Sequence, residues 1–298
     1  MEIVSYGGWN RCARIVNGDL EMIVTLEVGP RIIRFGQIGG PNEFVNYEKD
    51  MGKTGGDQYR SYGGHRLWIA PEEAPKTTTP DNNPVDATEE DGWFVFTAPE
   101  EKWHIQKEIR IRPEQDFFRI EHRVYNRGAY HLELAPWSIT VMNLGGECVW
   151  PQPKYQPQPE HLLPVRPMAL WAYTNLGDER WTWSKEVCRL KQTDNREPQK
   201  IGCQLEQGIA GYSNHGNFFF KRFPYFEDVE YPDFGCNFET FTRNDMLEIE
   251  SLGPMQVVAP GEYALHVEEH HLLLGVTAPA DSAECFDFLI DLAAKTEL

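Results

Sequence analysis

Residues 246–254 read Met-Leu-Glu-Ile-Glu-Ser-Leu-Gly-Pro. Leu247 and Ile249 alternate with Glu248 and Glu250. Side chains two apart on a strand point the same way, so the spacing predicts a strand with both carboxylates on one face. That face is either solvated or lines a pocket. Upstream, Phe238-Glu239-Thr240-Phe241-Thr242 leads into Arg243-Asn244-Asp245, a short turn with hairpin chemistry. Downstream, Val257-Val258, a Pro260-Gly261-Glu262 turn and the run from Tyr263 to Leu274 predict a further strand. The expectation is a three-stranded meander with acid on its middle strand.

Working outward, the same punctuation recurs along the chain. Runs 13–16 and 20–26 flank Asn17-Gly18-Asp19, a strong hairpin signal, and Gly29-Pro30 introduces another β-rich run to Phe35. Residues 36–62 are rich in Gly, Asn, Asp and Lys and read as a long loop. Residues 63–72, Gly-Gly-His-Arg-Leu-Trp-Ile-Ala-Pro-Glu, read as a binding loop on a β scaffold. Strands are expected at 93–97, 103–111 and 117–125, and at 130–142, where Pro136 argues for an edge or a bulge. The stretch 145–200 holds seven prolines and four tryptophans; so many aromatics predict an excursion packed on the body rather than a linker. Runs 202–211 and 217–223 flank a turn at 212–216, and only 281–294 carries helical spacing. Many short strands with turn signals predict a large all-β sandwich or barrel ending in a short helix.

The chain has 298 residues, 46 Asp and Glu against 28 Lys and Arg, and a formal net charge of −18. That balance argues against nucleic acid and anionic membrane as partners, because both need a basic patch. No window approaches the apolar length of a membrane span, and the N-terminus lacks a signal-peptide pattern, so a cytoplasmic protein is expected. Six scattered cysteines form no CxxC and no zinc-finger spacing. Nucleotide-binding, serine-hydrolase and zincin signatures are missing, and no cofactor is implied. His266, Glu268 and His270 alternate on the last expected strand, with His271 opposite. At i, i+2 and i+4 they spread over about 13 Å, too wide for one ion, so the expectation is a polar solvated face and no metal.

Several segments, in order, resemble the aldose 1-epimerase (galactose mutarotase)-like superfamily, nearest an uncharacterised bacterial branch of it. Val28-Gly29-Pro30-Arg31-Ile32 is similar to the family's early Gly-Ala-Arg-Ile strand, and Gly63-Gly64 to its Gly-Gly segment at the pocket. Val124-Tyr125-Asn126-Arg127-Gly128 resembles its Val-x-Asn-x-Gly strand and turn. Leu247–Ser251 followed by Pro260-Gly261-Glu262-Tyr263 resembles its late Leu-Glu and Pro-Gly-Glu-x-Tyr signature. The overlap covers nearly the whole chain. It implies one domain, residues 1–298, folded as a large antiparallel β-supersandwich that acts on a small-molecule carbohydrate.

The resemblance places the family's general base on Glu250, with Glu248 beside it. A partly desolvated carboxylate has a raised pKa suited to proton abstraction. Where relatives carry an acid His, this chain has Trp137, and an indole N–H only donates hydrogen bonds. The substitute acid is therefore sought at His65 first, then at His215 or Lys221. Sugars stack on aromatic faces and hydrogen-bond through hydroxyls. Trp68, Trp137 and Trp150 are the stacking candidates, and Arg66, Glu72 and Asn83 the hydroxyl partners. Three readings follow: an anomeric isomerase, a non-catalytic sugar-binding or sensing protein, and a lyase or glycoside hydrolase. The last needs two carboxyls about 5–10 Å apart, with Glu72 paired to Glu250 or Glu239.

Overall fold

The computed structural model describes residues 1–296. Two antiparallel sheets, of eleven and ten strands, stack face to face. Inward-facing residues of both form one apolar layer, with Ile32, Leu67, Leu247 and Ile249 from the first sheet meeting Ile109, Ile120, Phe219 and Ala264 from the second. This is the expected all-β supersandwich. The C-terminal helix Ser282–Ala294 is capped by Asp281, whose side chain accepts from the N–H groups of Ala283 and Glu284. Its Cys285, Leu289 and Leu292 pack on the outer face of the ten-stranded sheet, against Val149, Ile209 and Phe220.

The hairpin Phe238–Arg243 and Met246–Leu252 forms as expected, with Glu239 directly opposite Glu250. The meander ends there. Tyr263–Leu273 crosses to the other sheet and pairs with Phe117–Asn126 and Asn217–Arg222. Leu132–Val141 is also no edge: it lies between Gly64–Ala70 and Met246–Leu252. Pro136 is tolerated because the partner changes at that point, from Gln256–Val258 before it to Met246–Leu252 after it. The proline's missing N–H falls in the changeover, and its carbonyl accepts from Gly253 on the same side.

Residues 64–70 form a central strand, not a loop. Gly63 and Gly64 both have positive φ, and a Cβ would lie 2.1 Å from the Val45 carbonyl oxygen or 2.3 Å from that of Ile32. The pair is required by close backbone packing, not by a ligand. The strand geometry also sorts its side chains. His65 faces the interior, whereas Arg66 faces outward one residue later.

The interior is not wholly apolar. His266, Glu268 and His270 all point inward and are buried, so the expected solvated face does not exist. They are joined there by His65, His122, Lys221, Ser251 and Thr140. Trp150 is likewise buried, against Phe238 and Trp181, and offers no stacking surface.

Candidate functional site

Register builds the outer face of the eleven-stranded sheet. Arg66, Ile139, Glu250, Glu239 and Gly202 stand directly opposite one another on five adjacent strands. Directly opposed residues share a face, so this row runs straight across the sheet. The flanking row carries Val141, Glu248, Phe241 and Lys200, and the other flank carries Trp68, Trp137 and Leu252. Gly202 leaves room for its neighbour, since a Cβ there would sit 3.3 Å from Glu239 Cγ and 2.7 Å from Cys236 Sγ.

Glu250 is the hub. The Trp137 indole N–H donates to Glu250 Oε2 at 2.8 Å, and the Lys200 ammonium lies 3.1 Å from the same oxygen. Lys200 also sits 2.7 Å from Glu239 Oε2, so one ammonium bridges two carboxyls. Its Nζ lies 4.7 Å from the ring centroids of both Trp137 and Trp171. Arg66 donates to Glu248 at 3.0 Å and lies over the Trp68 ring at 4.5 Å. Burial opposes the Lys200 charge, but Glu250 and Glu239 outweigh it and hold its pKa above the usual lysine value. Burial pushes Glu239 well above the carboxylate range; Lys200 opposes this and Glu250 adds to it. Glu248 is raised the same way, against Arg66. Burial pushes Tyr173 up to about 12; Lys200 works against this, while Glu250, Glu72 and Glu239 add to it.

Among the described residues, several buried polar atoms of this constellation have no partner: Arg66 Nε and Nη1, Glu239 Oε1 and Glu250 Oε1. Such groups are costly and call for an explanation. A cavity of about 680 Å³ adjoins this face at Trp68 and is walled also by Tyr59, Asn83 and Trp103. Glu250 does not line it. Trp68 stands between, with its ring 5.6 Å from that of Trp137.

The sequence-based candidates therefore divide. Glu250, Glu248, Glu239, Arg66, Trp68 and Trp137 come together on the outer face, and Asn83 lines the adjoining cavity. Glu72 is exposed beyond the end of its strand, and the carboxyl beside Glu250 is Glu239. His65 and Lys221 belong to the interior. Lys221 pairs with Glu268 at 2.6 Å, and the strand backbone separates both residues from the Glu250 carboxylate. His215 sits on the turn of a hairpin in the ten-stranded sheet. None of the three expected acids reaches Glu250. His65 fails because adjacent strand residues face opposite ways, which the loop reading concealed. Lys200, Trp171 and Tyr173 are missed by sequence reasoning. The alternation of Lys200 with Gly202, on a run pairing with Phe238–Arg243, is the one signal for Lys200.

No family model and no curated protein matches the chain. Solved structures do. A protein described as a "putative aldose 1-epimerase" from Klebsiella pneumoniae superposes with a TM-score of 0.60 at 13% identity, covering 99% of this chain and 86% of that one. A galactose mutarotase-like protein from Lactobacillus casei gives 0.55 at 8% identity, covering 88% and 99%. A galactose mutarotase related enzyme from Lactobacillus acidophilus gives 0.55 at 8%, covering 88% and 97%. At these identities the likeness concerns architecture, and on that ground the chain has the galactose mutarotase-like β-sandwich fold.

Proposed function

We propose that the protein acts on a carbohydrate as an aldose 1-epimerase-like isomerase, with Glu250 as base and Glu239 as acid. The observation that carries this reading is the Glu239–Lys200–Glu250 bridge, with its unpartnered carboxyl oxygens and the unpartnered Arg66 donors beside it. Two carboxyls whose surroundings treat them differently divide acid and base work. Burial holds the Glu239 carboxyl well above the usual carboxylate range, the direction that favours an acid. Glu250 holds one oxygen on two donors and leaves the other free.

In the reaction, Glu250 takes the proton of the anomeric hydroxyl while the bond from the anomeric carbon to the ring oxygen breaks. Glu239 gives its proton to that oxygen, leaving an open-chain aldehyde. The carbonyl rotates, and the reverse steps close the ring on its other face. Protons and electron pairs balance, with each carboxyl restored at closure. Unpartnered Arg66 N–H groups supply hydroxyl contacts, and Trp68 offers a face at the 680 Å³ cavity, a volume suited to a small ligand. Entry from that cavity requires the Trp68 ring to swing aside.

A second reading, binding without catalysis, draws on the double engagement of Glu250 Oε2 by Trp137 and Lys200, which opposes proton uptake at that oxygen. Anomer-exchange NMR on a panel of aldoses separates the two. Catalysed exchange that falls by about 100-fold in Glu250→Gln and in Glu239→Gln, with sugar binding kept, supports the isomerase. Saturable binding with no catalysed exchange supports the second reading. Neither binding nor exchange on any aldose overturns both.

A further inference from the structure

Between the sheets, behind the strand that carries Glu250, lies the second polar cluster. His65 Nε2 and His122 Nε2 are 2.7 Å apart, and they lie 3.8 and 3.9 Å from Glu268 Oε2. All three side chains are fully buried. They come from three strands in two sheets: His65 from the eleven-stranded sheet, His122 and Glu268 from the ten-stranded one. We propose that His65, His122 and Glu268 bind a zinc ion that ties the two sheets together.

Four observations support this site. First, the donor atoms all lie within 4.8 Å of one another. In a tetrahedral zinc site with bonds of about 2.0–2.1 Å, neighbouring donors stand roughly 3.3 Å apart. The three observed separations bracket that edge, so shifts of a few tenths of an ångström admit the ion. Second, the donor set is two imidazoles and a carboxylate, which suits zinc. Third, the surroundings orient the ligands. His65 Nδ1 lies 2.9 Å from Thr140 Oγ1, leaving Nε2 for the metal. Glu268 Oε1 accepts from Lys221 and from Ser251, leaving Oε2 to face the imidazoles. Such outer contacts are what hold ligating His and carboxylate groups in place. His270 Nε2, 3.0 Å from Glu268 Oε2, is the nearest further donor and closes the fourth position after a ring rotation. Fourth, neither His65 Nε2 nor His122 Nε2 reaches Glu268 Oε2 by a hydrogen bond, at 3.8 and 3.9 Å, so the three facing atoms leave between them a gap that hydrogen bonding does not close. Spacing along one strand argues against a metal shared by His266, Glu268 and His270 alone. The ligands here come from different strands, so that argument does not apply to them.

Lys221 is the charge that opposes the ion. Replacing it by Met leaves Glu268 a buried carboxylate with no ammonium, a defect that zinc repairs and a hydrogen-bond network does not. The test uses the full chain, expressed with zinc, dialysed against a chelator and returned to Zn²⁺ or Co²⁺. Stoichiometric zinc by mass spectrometry is expected, with tetrahedral visible bands for the cobalt form. His122→Gln should weaken zinc binding by at least about 100-fold, while Glu250→Gln on the outer face leaves it unchanged. Zinc should raise the melting temperature of Lys221→Met more than that of the wild type. Folded wild-type protein that retains no zinc and shows only the octahedral cobalt spectrum overturns the proposal. If His122→Gln fails to fold, the wild-type stoichiometry and the Lys221→Met rescue decide alone.

Discussion

The two polar clusters lie on either side of the eleven-stranded sheet and differ in what they neutralise. On the outer face, Glu239, Glu248 and Glu250 outnumber Lys200 and Arg66, and several carboxyl and guanidinium atoms have no partner. In the interior, Glu268 is the anion against Lys221, amid four histidines. Burial works against the Glu268 charge, yet Lys221 and the imidazoles hold its pKa well below the usual value. The outer cluster has surplus acid and unmet bonding, the pattern expected where a hydroxylated ligand completes the site. The inner one is gathered around a single carboxylate and its ammonium, as a structural centre would be. Residues 250 and 251 show the division most sharply, with Glu250 bonded to Trp137 outside and Ser251 to His266 inside.

The contrast is most easily broken at its inner half. Glu268→Gln strands the Lys221 ammonium in the core and should cost about 3–5 kcal/mol in urea denaturation. Glu248→Gln, on the outer face, leaves the Arg66 charge stacked on Trp68 and near the Glu250 carboxylate, and should cost less, about 1.5–3 kcal/mol. Equal losses would mean that the faces are energetically alike.

The next effect is a pH dependence from Glu43, whose buried carboxyl, held by Asn217, is pushed up to about 7. The folded state keeps this proton through a range where the unfolded chain, near 4.5, has lost it. Its contribution is therefore full below pH 4.5 and is lost as pH rises to about 7, a change of about 3 kcal/mol. Subtracting the stability profile of Glu43→Gln from the wild type should isolate that slope; identical profiles would remove it. The smallest effect lies away from both clusters. Asp281→Ala deletes the helix cap and should cost about 1 kcal/mol by thermal melting, with zinc content and sugar binding unchanged.

Much of the fold was legible wherever local chemistry and period agreed. The Gly18-Asp19 turn joins the strands expected around it, and Asp281 caps the helix that the 285, 286, 289, 290 and 293 spacing predicts. Glu248 and Glu250 share a face, as alternation requires. Legibility failed where a residue's type masked its position. Gly63-Gly64 looks like loop chemistry, yet both glycines serve close strand packing. The His266–His270 alternation looks solvated, because a polar face against water and a polar face against another sheet's polar groups read identically. Lys200 went unnoticed because its partners, Glu239 and Glu250, lie 39 and 50 residues away and only register unites them.

The central claim is that the outer face, through Glu250, does the chemistry and the interior does not. Anomer-exchange rates for the wild type and Glu250→Gln, measured on samples with matched zinc content and melting temperature, test it most directly. The account predicts catalysed exchange in the first and its loss in the second. Exchange that survives in Glu250→Gln, or that falls only when zinc is removed, would contradict it.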